Sequence, residues 1–187
     1  MKKVLLGLIS IFMAGQISFA QPVSDMAVIP MGITVQSVMR LNVTKGGNIE
    51  FVFKSAADVN AGLPSTGAYG TTYETAGTIS ASQNWDLDLT VDETDFIADN
   101  NGGNNLPLNV VSLDVITNAG GTPVTQNDVV LSTPLTLIDA NGTNTLGDGL
   151  TFNIRWACGV AALASQSVIG TAAGRYSANI ILTLSAD

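Results

Sequence analysis

Trp85-Asp86-Leu87-Asp88-Leu89-Thr90-Val91 is the stretch that decides the fold. Its odd positions carry Trp85, Leu87, Leu89 and Val91, and its even positions Asp86, Asp88 and Thr90. Successive side chains of a strand point to opposite faces, so an apolar face alternating with a polar one marks a half-buried β-strand.

The same period recurs on either side. Over residues 33–43, Ile33, Val35, Met39, Leu41 and Val43 are apolar while Thr34, Gln36, Arg40 and Asn42 are polar, with Ser37 and Val38 as exceptions. Lys45-Gly46-Gly47-Asn48 supplies a turn, and Ile49, Phe51 and Phe53 alternate with Glu50, Val52 and Lys54, which predicts a second strand hairpinned to the first. Residues 55–78 are rich in Gly, Ser, Thr and Ala and read as a long loop or edge strand anchored by Tyr69 and Tyr73. Beyond the central strand, Asp99-Asn100-Asn101-Gly102-Gly103-Asn104-Asn105 forces a turn. Leu106 and Leu108 then lie on even positions but Val111, Leu113 and Val115 on odd ones, a phase slip that predicts a bulge near Val110. Val129, Leu131, Leu135 and Leu137 keep the period across Pro134, which is expected at an edge because it has no N–H for a ladder. Residues 150–158, with Leu150, Phe152, Ile154, Trp156 and Cys158 on one face, and residues 176–184 complete the set. A turn of helix fits residues 160–167. The expectation is an all-β chain: an Ig-like antiparallel β-sandwich of about eight strands, with a closed barrel as the nearest competitor.

Lys2 and Lys3, the apolar run over 4–14 and Ser18-Phe19-Ala20 read as a helical signal peptide over residues 1–20. The mature chain is then expected in the periplasm, at the cell surface or outside the cell. An arm over 21–31, broken by Pro22 and Pro30, precedes a single domain over 32–187. Ala27, Ile29 and Met31 form one apolar face of that arm, fit either to add a strand to a neighbour's sheet or to pack as an edge strand in its own domain.

With Lys2 and Lys3 removed, five basic residues face fifteen acidic ones, a net charge of −10. That balance repels phosphate backbones and anionic lipid, so no nucleic-acid partner is expected. No window of the mature chain approaches the roughly 20 apolar residues of a spanning helix, so no membrane span is expected. Cys158 is the lone cysteine, which rules out an intrachain disulfide and reads as a small buried apolar group.

The chain has no histidine, which removes the Ser-His-Asp and Cys-His constellations and the commonest zinc ligand. Gly-x-Ser-x-Gly, the Walker lysine motif and Gly-x-Gly-x-x-Gly are absent too. Asp86, Asp88, Asp92, Glu93, Asp95 and Asp99 carry the carboxylates that glycoside hydrolysis would need, but on an outward face and in a polar loop they read as solvated, and no catalysis is assigned to them. The loops over 92–105 and 139–144 are oxygen-rich enough to hold calcium without matching the EF-hand spacing, so no cofactor is assigned and calcium stays as the candidate ion. Tyr69 and Tyr73 are the candidate ligand-contacting aromatics for a glycan, while both tryptophans read as core.

Three stretches carry a family resemblance: the pair 33–43 with 49–53, the strand Trp85-Asp86-Leu87-Asp88-Leu89, and Ala173-Gly174-Arg175-Tyr176 opening the last strand. The chain resembles the pilin-like, WxL-like and spore-coat-U-type β-sandwich proteins of bacterial surfaces. It departs from them in lacking paired cysteines and in having the Trp-x-Leu motif once, at Trp85-Asp86-Leu87. The resemblance implies an Ig-like fold and a structural or adhesive role, and carries over no functional residue. The leading expectation is a non-catalytic exported structural or adhesive protein, a fibre or coat subunit joined to itself or to other surface proteins by strand addition. The alternative is a carbohydrate- or matrix-binding module built on the loops.

Overall fold

The computed structural model describes residues 26–67, 69–99, 104–118, 122–123, 129–139, 146–160 and 167–186. The leader expected over 1–20 lies outside them, as do residues 100–103 of the Asn/Gly turn and most of the helical turn expected over 160–167. No helix among the described residues is long and apolar enough to cross a membrane.

The chain divides into two units, Met1–Val35 and Gln36–Asp187. In the first, residues 26–35 form neither helix nor strand, and Met26, Val28, Ile29, Met31, Ile33 and Val35 are each 82% to 88% exposed. The strand expected over 33–43 therefore begins later than its alternation suggests.

The second unit is all-β apart from one short helix and one turn of 3-10 helix. Its elements are β1 (Met39–Lys45), α1 (Ala56–Ala61), β2 (Glu74–Ala81), β3 (Trp85–Val91), β4 (Asp95–Ala98), β5 (Leu106–Pro107), β6 (Val111–Thr117), β7 (Thr122–Pro123), β8 (Val129–Val130), β9 (Leu135–Asp139), β10 (Gly147–Cys158), β11 (Tyr176–Ser177) and β12 (Ile180–Ala186). Eight of these strands run four residues or more among the described residues. They pair antiparallel in a five-stranded sheet β1-β2-β10-β6-β8, a four-stranded sheet β12-β3-β9-β7 and a small sheet β11-β4-β5.

Alternation places the core. In β3, Trp85, Leu87, Leu89 and Val91 are buried and the residues between them half-buried, with Leu87 facing Leu184 and Leu89 facing Leu182 across the ladder. In β10, Phe152, Ile154, Trp156 and Cys158 are buried, with Ile154 opposite Val115 and Trp156 opposite Leu113. Side chains from the five- and four-stranded sheets join one hydrophobic cluster that also takes in Leu63, Ile79, Leu131, Leu137 and Ile138. Burying each such side chain contributes about 1.5–3 kcal/mol.

Several expectations are corrected. Residues 49–53 form no strand: β1 pairs instead with β2, Arg40 opposite Ser80 and Leu41 opposite Ile79. Alternation specifies a face, not a partner, and here the distant strand wins. The Gly46 carbonyl accepts a hydrogen bond from Thr75 Oγ1 at 2.8 Å, and Lys45 pairs with Glu74, so the chain is tied to β2 where a hairpin would have turned back. Residues 55–78 contain α1, opened by a capping box in which Ser55 Oγ accepts from the Asp58 N–H and the Asp58 carboxylate accepts from the Ser55 N–H. The phase slip at Val110 is a turn of 3-10 helix over Leu108–Val110. Pro134 directly precedes β9, which pairs with β3 through Leu135 and Thr136 and with β7 only at Ile138 and Asp139, so the proline's end of β9 has one side without a ladder partner among the described residues. The closing strand is split at Ala178-Asn179 into β11 and β12.

Truncating Trp85, which has no exposed surface, to alanine is expected to cost about 3–5 kcal/mol in urea unfolding. Thr90→Ala on the opposite face of β3 is expected to change stability by less than about 0.5 kcal/mol.

Candidate functional site

The second unit is open along one side. A cleft of about 1050 Å³ runs between β1 with residues 46–53 on one wall and β12 with residues 171–179 on the other. Leu41, Ile49, Phe51, Phe53, Phe96 and Leu182 line it and pack on the core, yet each is only partly buried. Val43 and Ile180, also at the cleft, are 41% and 36% exposed. Glu50 and Arg175 are the charged residues of its lining.

Backbone edges lie open on both walls. β1 ends the five-stranded sheet and β12 ends the four-stranded one, so each has one side without a ladder partner among the described residues. Residues 48–53 carry the alternation of a strand, with Ile49, Phe51 and Phe53 turned to the core, but make no backbone ladder. Their position is held from the side chains: the Phe51 and Tyr73 ring centroids are 4.6 Å apart. Beneath them, the Trp156 indole N–H donates to Thr75 Oγ1 at 3.0 Å, and that hydroxyl donates to the Gly46 carbonyl. This relay satisfies the buried polar groups at the floor of the cleft and fixes where the chain leaves β1.

The two candidate aromatics are placed apart. Tyr73 is 4% exposed and belongs to the core, so it offers no surface to a glycan. Tyr69, 58% exposed, is bound into a local latch: its hydroxyl donates to the Asp58 carboxylate at 2.7 and 2.8 Å, and Lys54 Nζ lies 4.4 Å from its ring centroid. The Tyr69 hydroxyl holds Asp58 below the ordinary carboxylate value of 3.8, helped by the Lys54 and Ser55 N–H groups, and Asp58 in turn raises Tyr69 above 10.0. Tyr69 is therefore a loop fastener, held at φ 56° against the helix that Asp58 caps.

Of the candidate carboxylates, Asp86 and Asp88 are half-buried on β3, with Ser185 Oγ 3.4 Å from Asp88 Oδ2, while Asp92 and Asp99 are tied to the segment that leads into β12. Asp92 Oδ2 accepts from the Asn179 side-chain amide at 2.5 Å and Oδ1 from the Asn179 N–H at 2.8 Å, which fastens the end of β3 to the start of β12; the side-chain bond first, and then the backbone one, lowers the Asp92 pKa. Ser177 Oγ lies 3.4 Å from Asp99 Oδ1. No group of three acidic or cysteine side chains suited to a metal ion is found among the described residues, and residues 140–144 of the second calcium candidate lie outside them. Cys158 is 4% exposed at the inner end of the cleft, where desolvation pushes its thiol up to about 12. No sequence motif marks the cleft; its nearest sequence signal is the alternation of Ile49, Phe51 and Phe53, which reads as a hairpinned strand and which the structure leaves without a ladder.

Two measurements probe this region. Tyr69→Phe is expected to raise the Asp58 pKa towards 3.8 in a carboxyl NMR titration. Because Asp58 is depressed in the fold, the latch stabilises above about pH 4 and is lost as pH falls through the lowered value, so variant and wild type should converge in acid. Cys158 is expected to stay inert to a disulfide reagent at pH 8 until the chain is unfolded, since a thiol near 12 supplies almost no thiolate. A comparison with protein-family models finds none that matches the chain, and a comparison with curated proteins finds no significant relative.

Proposed function

We propose that the chain is a non-catalytic exported structural or adhesive protein of the bacterial cell surface or extracellular matrix, built as an Ig-like β-sandwich and assembling into a fibre or coat. The observation that carries this reading is the exposure of the segment holding Ala27, Ile29 and Met31. Six large apolar side chains between positions 26 and 35 stand 82% to 88% exposed. Soluble monomers rarely leave a contiguous apolar stretch of this kind in water, and such a stretch marks an interaction site. Covering each side chain contributes about 1.5–3 kcal/mol, enough in sum to drive association against its entropic cost.

Export is supported by the leader pattern over 1–20, and a structural role by the lack of histidine and by acidic side chains that fasten turns. A glycan-binding module would keep only Tyr69, whose hydroxyl is already taken by Asp58.

Light scattering on the mature chain and on a form lacking residues 21–35 tests the reading. The full mature chain is expected to form oligomers whose mass grows with concentration, and the shortened form to be a folded monomer. An oligomer of unchanged mass after the deletion would overturn strand donation.

A further inference from the structure

We infer that the cleft between β1 and β12 binds one molecule of a single-chain zwitterionic lipid, with the acyl chain directed towards Cys158 and a phosphoethanolamine-type head between Glu50 and Arg175. The inference goes beyond the assembly reading and does not depend on it.

The inner end of the cleft calls for a hydrocarbon. Val110, Val111, Trp156 and Cys158 line it although none is more than 4% exposed, so it reaches into the core and not merely across its surface. The donors at this end are already spent, the Trp156 indole N–H on Thr75 Oγ1 and the Thr75 hydroxyl on the Gly46 carbonyl. A peptide pushed in here would leave backbone N–H and C=O groups unpaired, which burial penalises, whereas an acyl chain has none to leave. Further out, Phe51, Phe53, Phe96 and Leu182 are only partly buried, so a chain laid along them removes from water apolar surface that the fold itself leaves wet. The volume of about 1050 Å³ lies at the upper end of the roughly 300–1000 Å³ of small-molecule sites.

The mouth calls for two charges. Glu50 and Arg175, on opposite walls, are exposed, and neither makes an ion pair among the described residues. A cation and an anion so placed suit a head group that carries both. Phosphate oxygens accept from the Arg175 guanidinium, whose planar fork matches them, and the ammonium of the head donates to the Glu50 carboxylate. A fatty acid would gain at Arg175 and lose at Glu50. Net charge selects in the same direction, because a mature chain at −10 repels an anionic amphiphile but not one without net charge.

Isothermal titration of the mature chain with lauroyl lysophosphatidylethanolamine, kept below its micelle-forming concentration, tests the site, with laurate as the anionic comparison. Wild type is expected to bind one lysolipid per chain and to bind laurate more weakly. Arg175→Gln is expected to weaken the lysolipid by about 10-fold. Glu50→Gln should weaken the lysolipid and strengthen laurate, a crossover that adsorption to apolar surface cannot give. Val43→Asp puts a carboxylate on the apolar wall at a position 41% exposed in the free chain, and is expected to abolish binding of both amphiphiles while a circular dichroism melt shows that it folds. Ile180→Asp repeats that test from the opposite wall. Laurate binding as tight as that of the lysolipid, or a Glu50→Gln change that moves both alike, overturns the inference. So does binding that survives Val43→Asp and is lost on Met31→Asp, which would put the lipid on the exposed segment, and so does a chain that takes up neither amphiphile, as a cleft filled by a neighbouring protein would. Stoichiometry is counted per chain, so these outcomes leave the assembly reading standing, and a wild-type chain that is monomeric leaves the lipid site standing.

Discussion

The structure depends on one shared hydrophobic core. Trp85, Leu87 and Leu89 of β3 and Phe152, Ile154 and Trp156 of β10 belong to different sheets but to the same cluster, so neither sheet can bury its apolar face without the other. A lone sheet of these strands would leave that face in water. Fully burying it is what makes a chain with no disulfide stable, and it also explains why the ladders are long-range: β1 pairs with β2 and β2 with β10, across intervals that hold α1 and the smaller strands. Such topology folds more slowly than local hairpins would, because loop closure precedes most of the contacts.

The same core is unfinished on one side. Where β1 and β12 end their sheets, the apolar face continues past the last ladder, and residues 48–53 cover it by side-chain packing without backbone pairing. The polar relay from Trp156 through Thr75 to Gly46 holds this arrangement open, since it draws the chain off the β1 edge towards β2. A hairpin of β1 with residues 49–53 would have closed that edge. In the first unit, the large apolar side chains between positions 26 and 35 are 82% to 88% exposed.

Much of the β architecture was legible in the residues. Period-two alternation placed β3 residue for residue, and it located β10, β6 and the inward faces of both tryptophans. What it missed has a physical pattern. Ile49, Phe51 and Phe53 alternate as a strand does, but alternation reports only that one face is buried, and theirs packs on Tyr73 without a ladder. The start of α1 was readable in Ser55-Ala56-Ala57-Asp58, a short capping signal hidden in a stretch of loop-like composition. Tyr73 looked like Tyr69 in sequence, and only long-range packing sends one to the core and the other to the surface. The cleft was the least legible feature, because it is formed by residues from both ends of the second unit and by the lack of a strand.

Amide hydrogen exchange on the monomeric mature chain, resolved to single residues by NMR, tests the central claim most directly. An unfinished core predicts slow exchange across β3, β6 and β10 together with rapid exchange at residues 48–53 and at the outward amides of β1. Protection of residues 48–53 comparable to that of β3 would mean that the edge is already closed, and would contradict the account.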